Sequence, residues 1–197
     1  MHFLGVAAIF SIAVTARPAV VPRQLSYAEK AVLHHNYHRA NHSAPPVEWD
    51  DDLAATAKKG ADMCSFEHKM DFDGGGYGQN IAAGVEPERI TEIITGLWYN
   101  NEQCLYPSYG RNPTEDEMTN SFHEWGHFTQ IVWKDTTTIG CWTTDCTSQG
   151  GVKNVGGDVL PYFTVCNYKG PGNYDDEFAD QIGEPLDHDT VQWDYGL

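Results

Sequence analysis

Apolar positions recur at helical spacing in four stretches of this chain. Ser26-Tyr27-Ala28-Glu29 is a capping box, a hydroxyl followed three residues later by a carboxylate, and it predicts a helix running to about Arg39. Asp50, Asp51 and Asp52 put negative charge where a helix start favours it, and Leu53, Ala57, Ala61 and Cys64 behind them share one face. Pro87 suits a first turn ahead of Ile90, Ile93, Ile94, Leu97 and Trp98, the cleanest apolar stripe in the chain. The fourth stretch carries Phe128, Ile131 and Val132 at i, i+3 and i+4. Strands are predicted over 78–83, 139–144 and 162–168, short β-branched or aromatic runs bounded by Gly, Pro or Asp. Helices and strands interleave without a regular βαβ alternation, so the expected class is α+β, a small antiparallel sheet flanked by helices. From Asp175 onward the chain is acidic and has no Lys or Arg, which predicts a loosely attached tail over residues 175–197.

Charge narrows the partners. With 28 Asp and Glu against 12 Lys and Arg, the surface field repels phosphate backbones, so nucleic acid is excluded as a partner. Solubility is the plainest use of such an excess. The N-terminus has an apolar run from Phe3 to Val14, with Val14 and Ala16 at the positions a signal peptidase reads. We therefore expect a signal peptide over residues 1–16, a short segment over 17–25 and a secreted protein with no membrane span. The leader lacks Lys and Arg, a departure from the usual pattern. Asn41-His42-Ser43 is an N-glycosylation sequon, which matters only in the secretory route.

Five cysteines, Cys64, Cys104, Cys141, Cys146 and Cys166, would pair in an oxidising compartment with one left over. The expected pairs are Cys146 with Cys166 and Cys64 with Cys141. The Gly-rich run 73–78 fails G-x-G-x-x-G because Gln79 stands at the last position, and it carries no nucleotide reading.

His123-Glu124-Trp125-Gly126-His127 fits H-E-x-x-H, in which helical spacing puts two imidazoles on one face for zinc. A protease needs a third ligand. The extended form wants Gly and His where Gln130 and Trp133 stand, and the segment beyond Trp133 is strand and turn material. Protease is therefore the weaker reading.

From Gly126, the stretch Gly126-His127-Phe128-Thr129-Gln130-Ile131-Val132-Trp133 resembles the central signature of the CAP superfamily. That group comprises cysteine-rich secretory proteins, venom antigens and the plant pathogenesis-related proteins of class one. Three more motifs follow the family order: His35-Asn36-Tyr37-His38-Arg39, Gly78-Gln79-Asn80-Ile81, and Cys166-Asn167-Tyr168 with Gly172-Asn173, where Gly170 replaces the usual Pro. The resemblance spans about residues 26–174 and implies an α-β-α sandwich with a central cleft. It further implies that His68 and His127 line that cleft and can hold a divalent metal such as Zn²⁺. Gln79 stands where the family has an acid, which removes a charge and a general base. The second acid position falls on Asn101, with Glu102 one residue later; a π-bulge absorbing the extra residue would turn Glu102 inward.

Blander readings are preferred for the other conspicuous residues. Asn36 and Arg39 are expected to pin the first helix to neighbouring backbone, and Trp98, Trp125 and Trp133 to belong to the core. His34, His35 and His38 are expected to be solvated on a helix surface.

Three functions follow from this reading. The first is a secreted, non-enzymatic protein binding a sterol, fatty acid or other small hydrophobic ligand, as members of the family do, with Tyr106 and Tyr109 in the loop 105–109 as candidates to cover it. The second is a metal-dependent hydrolase with Glu102 and His127 as its catalytic groups. The third is an effector or inhibitor acting on an extracellular protein partner.

Overall fold

The computed structural model describes residues 23–188 and 191–194; the leader expected over 1–16 lies outside them. Helix α1 (Tyr27–Asn41) opens on the Ser26 capping box, with both of its hydrogen bonds made. A two-residue strand β1 (Glu48–Trp49) leads to α2 (Asp51–Ala61), capped by Asp50, whose carboxylate accepts from the amides of Asp52 and Leu53. Strand β2 (Gly78–Ala83) precedes a π-helix, Glu92–Asn100. Short helices α3 (Glu115–Asn120) and α4 (Gly126–Val132) come next. Strands β3 (Thr138–Asp145) and β4 (Tyr162–Lys169) and a last turn α5 (Phe178–Gln181) complete the order.

The sheet runs β1-β3-β4-β2. Its two main ladders are antiparallel, and β1 adds a short parallel ladder to β3, a strand too brief for any periodicity to reveal. Alternation along the strands sends side chains to two helical layers. Ile81, Phe163 and Val165 face α2 with Ala57 and Ala61. Ala82, Ile139, Cys141, Cys166 and Tyr168 face the larger core under α1, the π-helix and α4. Helix α2 lies close on the sheet at Gly140, where a Cβ would stand 2.2 Å from the amide nitrogen of Ala54. The result is the α-β-α sandwich.

Arg39 joins the layers. Its side chain is fully buried, and it donates to the carbonyls of Pro45, Ile131, Trp133, Lys134 and Thr136 at 2.6–3.3 Å. Three of these acceptors lie at the end of α4, where helix carbonyls carry partial negative charge. Asn36 likewise exchanges hydrogen bonds with the backbone of Val47.

Several expectations need correction. The disulfides are Cys64–Cys146 and Cys141–Cys166, with Cys104 free and exposed. Register decides this: Cys141 and Cys166 are direct partners across β3 and β4, with Cα atoms 4.0 Å apart, which takes Cys166 away from Cys146. His34, His35 and His38 are buried, not solvated. Within the acidic segment, residues 178–182 are docked: Phe178 and Ile182 reach the main core, Lys134 Nζ donates to the Asp180 carbonyl, and Asp135 and Gln181 bond each other. Among the described residues, no helix is long and apolar enough to cross a membrane.

Candidate functional site

His127 projects from the first turn of α4. Trp125, at φ −145° and ψ −1°, separates that helix from a short turn over Phe122–Glu124. H-E-x-x-H is therefore not one helix face, and His123 and Glu124 are both exposed.

The π-helix delivers the carboxylate. The Asn101 amide reaches back five residues to Gly96 O, and the next amide, that of Glu102, closes a tight turn onto Tyr99 O. This change of winding leaves Asn101 exposed, so it does not serve the cleft, and turns Glu102 inward. Glu102 Oε1 accepts from His127 Nδ1 at 2.6 Å, and Oε2 accepts from the Phe128 amide at 2.9 Å. Trp98 stacks on the His127 ring at 5.8 Å and 8°.

His68 comes from the loop between α2 and β2 and stands at the solvent rim. Its Nδ1 lies 3.1 Å from Gln79 Oε1. The orientation of the Gln79 amide follows from its neighbours: Oε1 accepts from the Lys69 amide, while Nε2 donates to Lys69 O and Asn167 Oδ1. Burial lowers the His68 pKa, the Gln79 hydrogen bond raises it and the nearby His127 lowers it further. Both rings line one cleft of about 320 Å³, with Gln79, Asn80, Phe122 and His123 in its walls.

An acceptor oxygen on each Nδ1 fixes the neutral tautomer. In the neutral ring of either residue the proton sits on Nδ1, and the Nε2 lone pair is left for an electrophile. Two neutral imidazoles sharing a cleft suit a borderline-soft divalent cation. Among the described residues, no group of three or more His, Cys, Asp or Glu is placed to hold a metal ion.

A hydrogen-bond chain links residues of all four motifs, which sequence reasoning missed. His35 Nδ1 donates to Ala31 O, so its Nε2 accepts from Tyr168 OH; that oxygen accepts from Asn80 Nδ2, which also donates to His127 O. Burial pushes the His35 pKa down to about 3, keeping the ring neutral as the chain requires. Asn173 adds a further tie to α4, through Gly126 O and Thr129 Oγ1. The only signal for these positioning roles was membership of the motifs.

Tyr106 and Tyr109 pack onto the main core. Tyr106 is buried against Trp125, Phe128 and Phe178, and Tyr109 packs edge-on to it and stacks against His42. The loop's exposed apolar residue is Leu105.

A profile of the cysteine-rich secretory protein family, CAP, matches residues 32–168. A pathogenesis-related protein of Arthroderma benhamiae is 42% identical over 166 residues, covering 84% of this chain and 51% of the relative. Secreted protein RBT4 of Candida albicans is 31% identical over 153 residues, covering 77% of this chain and 37% of the relative. The chain thus spans about half the length, or less, of these relatives. Among solved structures, that of NaASP2 with Zn²⁺ superposes with a TM-score of 0.61 at 21% identity, covering 82% of this chain and 89% of that one, a likeness of fold.

Proposed function

The chain belongs to the CAP family of cysteine-rich secretory proteins, and from that premise we propose a secreted, non-enzymatic binding protein whose cleft takes a divalent cation, Zn²⁺ the best chemical match, between His68 and His127. The observation that carries this is the pair of Nδ1 hydrogen bonds, His68 to Gln79 and His127 to Glu102, which leave the Nε2 lone pairs unused on two rings that line one cleft. A protein of the same fold has been crystallised with Zn²⁺, which supports the reading. A bound cation would polarise whatever completes its coordination; the chain's own part is to hold the rings oriented.

Hydrolysis is less well supported. Both Glu102 oxygens already accept hydrogen bonds, and Gln79 is a neutral amide that cannot serve as a base. For the sterol or fatty-acid reading, the loop 105–109 offers Leu105 as its exposed apolar side chain, with Tyr106 buried beneath. A ligand with one donor atom for the cation and an apolar body against Phe122 suits a cleft at the small end of the range for small-molecule sites. No particular surface supports the effector or inhibitor reading beyond the acidic charge.

Calorimetric titration of chelator-stripped protein with zinc chloride tests the proposal. One equivalent of uptake is expected near neutral pH, lost in His68→Ala and in His127→Ala, and weakened in acid as His68, whose pKa burial lowers, takes up a proton. Uptake that survives both substitutions, or none in the wild type, would sink it. Metal-dependent peptide cleavage lost in His127→Ala would establish the hydrolase instead.

A further inference from the structure

Side chains alternate along each strand, so Phe163, Val165, Asn167 and Lys169 of β4 share the face covered by α2 with Gln79 and Ile81 of β2 and with Thr138 and Gly140 of β3. Tyr77, the residue before β2, falls on that face by the same period. The layer is apolar where Ala57 and Ala61 meet Phe163 and Val165, and polar toward the start of α2, where Gly140 lies against Ala54. At this polar end Asp50, Asp52, Thr56, Asp73, Tyr77 and Lys169 line a cavity of about 220 Å³. It shares no residue with the cleft of His68 and His127.

Three buried side-chain atoms on this face have no hydrogen-bond partner among the described residues: Tyr77 OH, Asn167 Nδ2 and Thr138 Oγ1. Tyr77 is 7% exposed and Asn167 is fully buried. Gln79 Nε2 donates to Asn167 Oδ1, which leaves the nitrogen as the idle end of that amide. Buried donors are seldom left idle, because burial has already taken their water. Tyr77 stands in the cavity wall, where an entering group can accept its proton. Burial raises the Tyr77 pKa, the Phe72 amide lowers it and Asp71 and Asp73 raise it; on balance the phenol keeps its proton.

The other groups in the wall divide into occupied and unoccupied. Asp73 is occupied on both oxygens, Oδ2 accepting from Thr56 Oγ1 at 2.6 Å and Oδ1 from Lys59 Nζ at 2.5 Å. Asp50 uses Oδ1 to cap α2 through the Asp52 and Leu53 amides, and its Oδ2 accepts from no described residue. Asp52 and Lys169 are exposed, and neither side chain is bonded or ion-paired among the described residues. Unused acceptors, Asp50 Oδ2 and the Asp52 carboxylate, therefore line the same space as unused donors, Tyr77 OH and Lys169 Nζ. A simple cation would leave both donors unanswered and meet the Lys169 charge, and a simple anion would meet two carboxylates.

We propose that this cavity binds a small organic zwitterion, its ammonium paired with Asp50 and Asp52 and its carboxylate with Tyr77 OH and Lys169 Nζ. An unbranched amino acid is the simplest member of that class.

Backbone-amide NMR of the full chain, titrated with γ-aminobutyrate and separately with n-butylamine and with butyrate, tests the site. The probes match in length and differ in charge. With γ-aminobutyrate the Leu53, Gly76, Tyr77 and Lys169 amides are expected to shift along one saturable curve. Butylamine and butyrate are expected to bind there about tenfold or more weakly, the usual effect of losing one hydrogen bond to a charged group. Tyr77→Phe removes the hydroxyl and keeps the ring, and Asp52→Asn neutralises an exposed carboxylate that holds no hydrogen bond; each is expected to weaken γ-aminobutyrate by a similar factor. The proposal is overturned by shifts that never saturate, by butylamine binding as tightly as γ-aminobutyrate, or by unchanged affinity in Tyr77→Phe or in Asp52→Asn. If Tyr77→Phe does not fold, Asp52→Asn and the comparison of the three probes decide.

Discussion

Glu102 shows how much one side chain can settle at the residue scale. Each carboxylate oxygen accepts one N–H, from His127 and from Phe128, so a single group orients the ring and anchors the start of α4. A glutamine has only one accepting oxygen and would turn its NH₂ toward one of the two donors. Glu102→Gln is therefore expected to weaken zinc binding by about 10- to 100-fold, the usual cost of losing a group that orients a ligand, with the fold retained. Unchanged affinity in the calorimeter would show that His127 needs no such support. Gln79 Oε1 meets His68 Nδ1 with a neutral amide, at the position where the family has an acid. The same scale holds the plainest misreading. Histidines on α1 look polar and solvated in a hydropathy pattern, because their burial is decided by partners far along the chain: Thr95, Tyr99, Tyr168 and Gly183.

Elements with strong local patterning were legible, and those defined by distant contacts were not. The strand over 78–83 and the Ser26 capping box follow from alternation and from one hydroxyl–carboxylate spacing, both local properties. The stripe from Ile90 to Trp98 announced a helix, and the mismatch between Asn101 and Glu102 pointed to the π-winding that the chain adopts. The acidic C-terminal segment misled because its charge count concealed Phe178 and Ile182, four residues apart and both buried. Phe178 meets the rings of Tyr106, Trp125 and Trp133 at centroid distances of 5.2–6.4 Å. Phe178→Ala is expected to destabilise the protein by about 3–5 kcal/mol, the usual cost of emptying such a site. A loss under about 1 kcal/mol in denaturant unfolding would mean that the segment is an ornament and not part of the core. Disulfide connectivity belongs to this scale too, since cysteine spacing cannot reveal a strand register.

Across the whole molecule, the four motifs meet because the sandwich brings α1, β2, β4 and α4 to one polar seam under the cleft. Their order in the chain identified the family and the α-β-α architecture. It could not reveal that His35, Tyr168 and Asn80 form a relay of hydrogen bonds ending at His127 O, since that depends on three-dimensional neighbours. The seam ties the backbone of His127 to α1, β2 and β4 behind the cleft. Zinc-soaked crystals measured on both sides of the zinc absorption edge test the proposed cation site most directly. A single anomalous peak within bonding distance of both Nε2 atoms, about 2.0–2.1 Å, is the expected result. Zinc bound only at surface carboxylates, with the space between His68 and His127 empty, would contradict it.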